Sequence, residues 1–307
     1  MAVQQESQPI AAERTSTPGI AVRPEAAVAA ERSGSRWGEM ALNGLTILYF
    51  LFALFPLVWM LLLSLKPQEQ LFTTYFRFSP TLAAYREVLG TGGGGSDFLR
   101  FFLNSLIVAV GAVLISLLVG VPAAYAFARW KFLGGESLLF TLLSFRFAPE
   151  LMVIIPLLVI YRRIGLFDTH LGLIWVYQLI TLPLIVWILR SYFQDLTPEL
   201  EQSALLDGYN RVQAFVKVAV PLIRPGLAAA GLLAFIFAWN SFVFPFALTG
   251  SNAQTVTVGS LSFLGGATPR YNLTAAAALI ALVPPLLLAL SIQRFLVRGL
   301  TFGAVKG

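Results

Sequence analysis

The feature that most constrains this chain is a set of long stretches without a single charge. No Asp, Glu, Lys or Arg occurs between Glu39 and Lys66, between Arg100 and Arg129, or between Arg270 and Arg294. A helix rises about 1.5 Å per residue, so about 20 apolar residues cross the roughly 30 Å hydrocarbon core of a bilayer. Each stretch is long enough to do so. Composition agrees, with 57% hydrophobic and only 12% charged residues, about half the ~25% charge of a soluble domain. A chain of 307 residues with so few polar side chains cannot coat a water-soluble globule. A soluble enzyme is excluded, and so is a disordered or fibrous chain. The fold class is all-α, a polytopic membrane protein.

Six spans are predicted, near 41–64, 102–127, 137–161, 171–189, 225–248 and between Arg270 and Arg294. The third is interrupted by Arg146 and Glu150, and the sixth carries Pro284 and Pro285, which predict a kink. Residues 1–37, rich in Ala, Pro, Ser, Glu and Arg, read as a disordered cytoplasmic tail. The first apolar run begins near Ala41 and is too long for a signal core. Residues 38–307 read as the membrane domain. Within it, FSPTLAAYREVLG (78–90) suits a short helix. GTGGGGS (90–96) has no Gly-Lys-Ser/Thr ending and reads as a flexible linker, not a phosphate loop.

Six spans place both termini on one side. With that side cytoplasmic, Lys66, Arg77, Arg86, Arg100, Arg162, Arg163 and Arg270 are the seven basic residues outside, against thirteen inside. The bias follows the positive-inside rule. The net charge of +6 and pI near 9.8 therefore do not point to nucleic acid, because the basic residues lie between apolar runs. Cys is absent and His170 is the single histidine. No disulfide, thiolate nucleophile, iron–sulfur cluster or Cys/His metal site can be built, and no catalytic residues are expected.

The stretch LTPELEQSALLDGYNRVQAFVKVAVPLIRPG (196–226) is too polar to insert and carries helix punctuation. Thr197 suits an N-cap and Pro198 the first helical position. Glu199 and Glu201 fall in the first turn, where the helix dipole favours negative charge. Asp207-Gly208 should end the helix, and Asn210 with Gln213 should open a second one through a capping box. Val212, Phe215, Val216 and Ala219 recur at helical spacing as an apolar face. Pro221 and Pro225 turn the chain back to the membrane. The residues alone fit both an interfacial helix pair resting on lipid and a docking element for a cytoplasmic partner.

Within it, QSALLDGYNRVQAFVKVAVP resembles the signature loop of binding-protein-dependent ABC importer permeases, written E-A-A, three residues, G, nine residues, I-x-L-P. Gln202, Ser203 and Ala204 take the first three places, Gly208 the glycine, and Val218, Val220 and Pro221 the end. The departures are Gln202, Ser203 and the two valines. PTLAAYREVL, FLNSLIVAV, AAYAFARWKF, RRIGLFDTHLGLI, AWNSFVFPFALT and QRFLVRGLTFGAVKG are similar to the MalG-like, carbohydrate-importing branch, over roughly 40–307. The resemblance implies one permease subunit in a bacterial or archaeal inner membrane. It also implies a second homologous permease, two ATPase subunits that bind ATP and Mg, and an extracellular or periplasmic sugar-binding protein. No cofactor is expected in this chain, and lipid is its solvent. Coupling to the ATPase falls by resemblance on Gln202, Ser203, Ala204, Asp207 and Gly208. Gln202 in place of Glu loses a charge-assisted bond, roughly twice as strong as a neutral one, while helix-into-groove packing survives.

Other polar residues at membrane depth are pathway candidates. Arg146 and Glu150, four apart, fit either a structural ion pair or a substrate contact, and Pro149 between them is placed to break the helix and with it the pairing. Asn240 and Ser241 fit either interhelical hydrogen bonds or sugar hydroxyls. Gln178, with Trp175 and Tyr177, fits either a stacking face or packing. His170, without ligating neighbours, is no metal site. The rival reading, a self-sufficient carrier or channel, calls for acidic relays or inverted repeats. The sequence offers one intramembrane acid, Glu150, and no clear repeat.

Overall fold

The computed structural model describes residues 36–72, 76–91, 96–147, 150–265 and 268–303, without the side chains of 36, 37, 147 and 294–303. Nearly all of the expected tail 1–37 and the residues around the Gly-rich run, 92–95, lie outside the described residues. The chain divides at Pro56 into two units.

The first helix, α1 (Arg36–Ser64), runs through that boundary. In the first unit its large apolar side chains, from Met40 to Phe55, are exposed. For a polypeptide in water such a surface would be untenable; in lipid it is the expected solvent-facing side. In the second unit, α2 (Ala83–Val88) is the short helix expected between the first two spans. Next comes α3 (Phe98–Arg129), then α4 (Gly135–Phe147) and α5 (Glu150–Arg163). They are followed by α6 (His170–Val176) and α7 (Gln178–Asp195).

A polar helical loop follows, built of α8 (Pro198–Leu206), α9 (Arg211–Ala214), a π-helical turn (Phe215–Ala219) and α10 (Val220–Leu222). The chain then returns through α11 (Arg224–Asn240), α12 (Val243–Leu248) and α13 (Val256–Gly259), and ends in α14 (Tyr271–Gly303). Among the described residues no strand is present. Among the described residues three helices are long and apolar enough to cross a membrane, or six where each bent pair, α4/α5, α6/α7 and the α9–α10 run with α11, counts as one span.

The core of the second unit is the packing of α3 against α7, with α11 and α14 closing around them. Its buried faces are rich in small residues: Ala109, Ala112 and Ala124 on α3, Ala230 and Ala234 on α11, Ala276 and Ala277 on α14. Lipid offers apolar side chains no hydrophobic incentive to associate, so close backbone approach and hydrogen bonds must hold the helices together. Gly120 shows how close: a Cβ there would come within 2.8 Å of Ile185 Cγ2. Hydrogen bonds complete the seam, with Ser116 Oγ 2.6 Å from both Gln178 Oε1 and Thr181 Oγ1.

Three expectations change. The third span is not one helix, because α4 and α5 meet at a 90° bend across 148–149. Pro149 itself falls outside the described residues. The fifth span does not run to Leu248; α11 stops at Asn240, where Ser241 and Phe242 leave helical geometry before α12. On the polar loop, Val212 and Val216 are exposed, and the inward residues are Ala214 and Ala219 with half-buried Phe215. The expected face assumed one regular 3.6-residue period, whereas Phe215–Ala219 is wound as a π turn.

Candidate functional site

The polar loop between α7 and α11 is the best-defined candidate. Its punctuation follows the sequence closely. Pro198 opens α8, and Asp207 caps its end. Gly208 then takes φ +89°, a left-handed conformation that costs a side-chain-bearing residue roughly 1–2 kcal/mol. The capping box forms in both directions. Gln213 N donates to Asn210 Oδ1 at 2.8 Å, and Asn210 N donates to Gln213 Oε1 at 2.9 Å. At Ile223 the chain bends by 74° into α11.

Thr197 stands at the N-cap position, but its hydroxyl caps nothing. The start of α8 is held instead by a charged clamp. Arg129, the last residue of α3, donates to Glu201 Oε1 through Nε at 2.9 Å and Nη2 at 2.7 Å, and Nη2 also reaches the Leu196 carbonyl at 3.1 Å. Tyr125, one turn earlier on α3, donates its hydroxyl to the other carboxylate oxygen at 2.5 Å. Both charged side chains are 13% exposed, so the pair is largely withdrawn from water and each charge depends on the other. The Tyr125 ring joins the same cluster to the rest of the loop. Its centroid lies 4.6 Å from that of Phe215 on the π turn, 5.2 Å from Phe193 at the end of α7, and 5.4 Å from Trp130.

Of the five coupling candidates, Gln202, Ser203, Asp207 and Gly208 are at the surface, whereas Ala204 is buried. Gln202 lines a cavity of about 250 Å³ together with Tyr125, Arg129, Glu201, Leu205 and Arg211. The sequence reading missed both the clamp and the exposure of the loop's apolar side chains Leu206 (89% exposed), Val212 and Val216. The clamp had a trace in the sequence: Arg129 ends a charge-free run, and Glu201 lies in a first turn. Distance between the two in the chain concealed their meeting.

The membrane-depth candidates separate into distinct places. Arg146 and Glu150 sit on different helices, and among the described residues no ion pair joins them. α4 ends at Phe147 and α5 begins at Glu150, so the two charges share no helix face, the outcome expected of a break at Pro149. Both nevertheless line one cavity of about 230 Å³, with Phe145, Val153, Leu179, Ile180, Phe237 and Phe244. Arg146 stacks 4.1 Å over the centre of the Phe237 ring and donates to the Ile180 carbonyl at 3.2 Å.

Gln178 is occupied elsewhere, donating from Nε2 to the Ala112 and Ile174 carbonyls at 3.1 and 2.9 Å while accepting from Ser116. Asn240 donates back into its own helix, to the Ile236 carbonyl, at 2.8 Å. Ser241 is buried beside Tyr177. Tyr177 is itself buried while Trp175 is exposed, so the two share no stacking face. His170 does have a partner, Asn104 Oδ1 at 2.7 Å. The Asn104 amide donates to the Asn252 and Gln254 carbonyls, linking α3 to the loop before α13.

That loop is organised by a residue the sequence did not single out. Asp168, at φ 58°, accepts backbone N–H bonds from Asn252 and, at 2.9 Å, from Ala253. Burial alone would raise its pKa, but the backbone donors from Ala253, Asn252, Gly250 and Ser251 together hold it below the usual carboxylate range.

Comparison with known proteins places this arrangement. Residues 116–302 match the family model of the binding-protein-dependent transport system inner membrane component. The chain belongs to this family. It is a permease, the membrane-embedded subunit of a binding-protein-dependent ABC importer. It is 36% identical over 260 residues to the trehalose transport system permease protein SugB of Mycobacterium tuberculosis, covering 83% of this chain and 93% of the relative. It is 33% identical over 265 residues to the trehalose/maltose transport system permease protein MalG of Thermococcus litoralis, covering 85% and 94%. With the diacetylchitobiose uptake system permease protein DasC of Streptomyces coelicolor it shares 31% over 274 residues, covering 89% and 99%. The permease fold is shared with a crystal structure of a bacterial ABC transporter that imports the acidic polysaccharide alginate. There the TM-score is 0.69 at 21% identity, covering 85% of this chain and 97% of the other.

Proposed function

We propose that this permease forms half of the transmembrane pathway of a sugar importer and receives its driving force through the loop 196–226. The relatives named for trehalose, maltose and diacetylchitobiose support a mono- or oligosaccharide as cargo. A solved alginate transporter bound to a sugar-loaded periplasmic protein supports delivery by a soluble binding protein. The partners are then a second permease, two ATPase subunits holding ATP and Mg, and that binding protein, with lipid around the spans. Both termini and the loop face the cytoplasm, in keeping with the thirteen-to-seven charge bias.

The observation that carries this reading is the clamp. A surface helix resting on lipid has no need of a buried ion pair at its root. A helix that must hand force to a membrane span does. Arg129, Glu201 and Tyr125 join α8 to the end of α3, while Leu206, Val212 and Val216 are left exposed for a groove on the ATPase. Gln202, Ser203, Asp207 and Gly208 lie on the exposed side and would set the fit, and buried Ala204 would support them from beneath. ATP-driven closure of the ATPase pair would move α8, and α3 with it, to re-gate the pathway by alternating access.

Gly208→Leu tests the assignment. Nothing lies within 4 Å of a Cβ built there, so the substitution strains the turn without a clash, and the spans should insert at near-normal abundance. Co-purification of the ATPase and whole-cell sugar uptake should both fall sharply, whereas Ser203→Ala should be nearly silent. Full uptake by Gly208→Leu with the ATPase retained would remove the coupling role from this loop.

A further inference from the structure

The cavity at the break between α4 and α5 has a chemistry that the coupling function does not use. It brings a guanidinium and a carboxylate, Arg146 and Glu150, together at membrane depth against a wall of Phe145, Phe237 and Phe244. Intramembrane charges are normally paired with one another or with backbone carbonyls. Arg146 has its carbonyl and its ring; Glu150 has no ion pair within 4.0 Å among the described residues. Two opposite charges lining one cavity without bridging leave donors and an acceptor available to something between them.

We infer that this cavity is a subsite for a single uncharged sugar ring on its way through the permease. This rests on the sugar reading given above and specifies its chemistry. A pyranose offers what the walls require. Its C–H face packs on aromatic rings, and its hydroxyls both accept from a guanidinium and donate to a carboxylate, which is acceptor-only when ionised. The volume of about 230 Å³ falls below the roughly 300–1,000 Å³ of drug-sized ligand sites, so the cavity holds one ring, not a chain. Charge sets the class. One cation faces one anion, so a neutral ring is matched, whereas a uronate or sulfonate would meet Glu150 as a like charge. Arg146 and Glu150 are then specificity residues for the cargo, and Phe237 holds the guanidinium flat against the wall.

The native chain has no Cys, which permits a direct test in the assembled transporter. Leu179 lines the cavity and is 37% exposed, so Leu179→Cys can report by its rate of alkylation with N-ethylmaleimide. Uptake by the unmodified transporter is measured first with trehalose, maltose, diacetylchitobiose and sulfoquinovosyl glycerol. If none is carried, mono- and other oligosaccharides are screened in the same assay, and failure of all of them removes the sugar reading and this inference with it. For a carried neutral sugar, alkylation should slow severalfold when the sugar is present. Glu150→Gln or Arg146→Gln should weaken that protection about tenfold or more in sugar concentration, as loss of a hydrogen bond to a charged group implies. Where a neutralised variant reaches the membrane poorly, Glu150→Asp and Arg146→Lys replace it and should retain part of the protection. Sulfoquinovosyl glycerol should protect poorly, and better in Glu150→Gln. Unslowed alkylation by a sugar that is carried, or protection that survives both neutralising variants, would overturn the subsite while leaving the sugar reading intact.

Discussion

Two of the permease's Arg–Glu sets, one closed and one open, are built in opposite ways. Arg129 and Glu201 come from segments far apart in the chain, yet meet in a bidentate pair to which a tyrosine and a backbone carbonyl add further bonds. Arg146 and Glu150 are four residues apart in the chain, yet the helix breaks between them and no bridge forms. The comparison teaches that sequence spacing is a poor guide to charge pairing wherever the backbone is free to turn. It also separates two uses of costly charge. A pair with every bond made fixes one element to another. A pair held open by a helix break leaves its bonds for a ligand.

The largest effect should come from breaking the closed pair. Glu201→Ala strands Arg129 in a mostly buried site, a loss of roughly 3–5 kcal/mol for a fully buried pair and somewhat less at 13% exposure. ATPase retention in detergent and sugar uptake should both collapse, and Tyr125→Phe should give a milder version of the same defect. Retention at the wild-type level in Glu201→Ala would mean that the pair is ornamental.

The open pair should behave differently. Glu150→Gln removes a charge that has no ion-pair partner among the described residues, so membrane abundance should stay within about twofold of normal, by immunoblot of isolated membranes. A structural pair would instead leave Arg146 unneutralised at depth, at roughly 2.5–3.5 kcal/mol on insertion scales, and abundance would drop. Parallel loss of abundance in Glu150→Gln and Glu201→Ala would erase the distinction between the two sets.

The smallest effect concerns Asp168, a carboxylate closed by backbone donors instead of by a cation. Its pKa is held below the usual range, so its contribution is complete above about pH 4, the ordinary carboxylate value. That contribution is lost as pH falls through the lowered value. Hydrogen exchange at the amides of 250–255 should therefore show constant protection from pH 8 down to about 5, after correction for intrinsic rates. Asp168→Asn should weaken protection across that whole range. A loss of protection between pH 7 and 5 in the unmodified chain would contradict the assignment.

Much of this was legible from charge and punctuation alone. Charge-free runs located α1, α3 and α14 because a bilayer tolerates no other composition over that length. Pro198, Gly208 and the Asn210–Gln213 box marked the polar loop to the residue, because caps are local and depend on neighbours within one turn. What escaped was long-range or irregular. The clamp joins residues from separate segments, and no local rule pairs them. The π turn at Phe215–Ala219 breaks the period from which the loop's apolar face was read. The end of α11 at Asn240 lies inside an apolar run, AWNSFVFPFALT, that gives hydropathy no edge. Gln178, a pathway candidate by polarity, is consumed by the α3–α7 seam, which sequence cannot display.

The central claim is that Arg129 and Glu201 hold α8, the proposed coupling element, to α3 through their mutual charge. The most direct measurement is co-purification of the ATPase with Arg129→Glu, Glu201→Arg and the exchanged double variant, at matched membrane abundance. Each single variant places like charges together and should lose the ATPase. The double variant should recover a substantial part of it. Recovery should fall short of complete, because the carboxylate introduced at position 129 would face the Leu196 carbonyl. A double variant no better than the worse single, or single variants that retain the ATPase normally, would contradict the account.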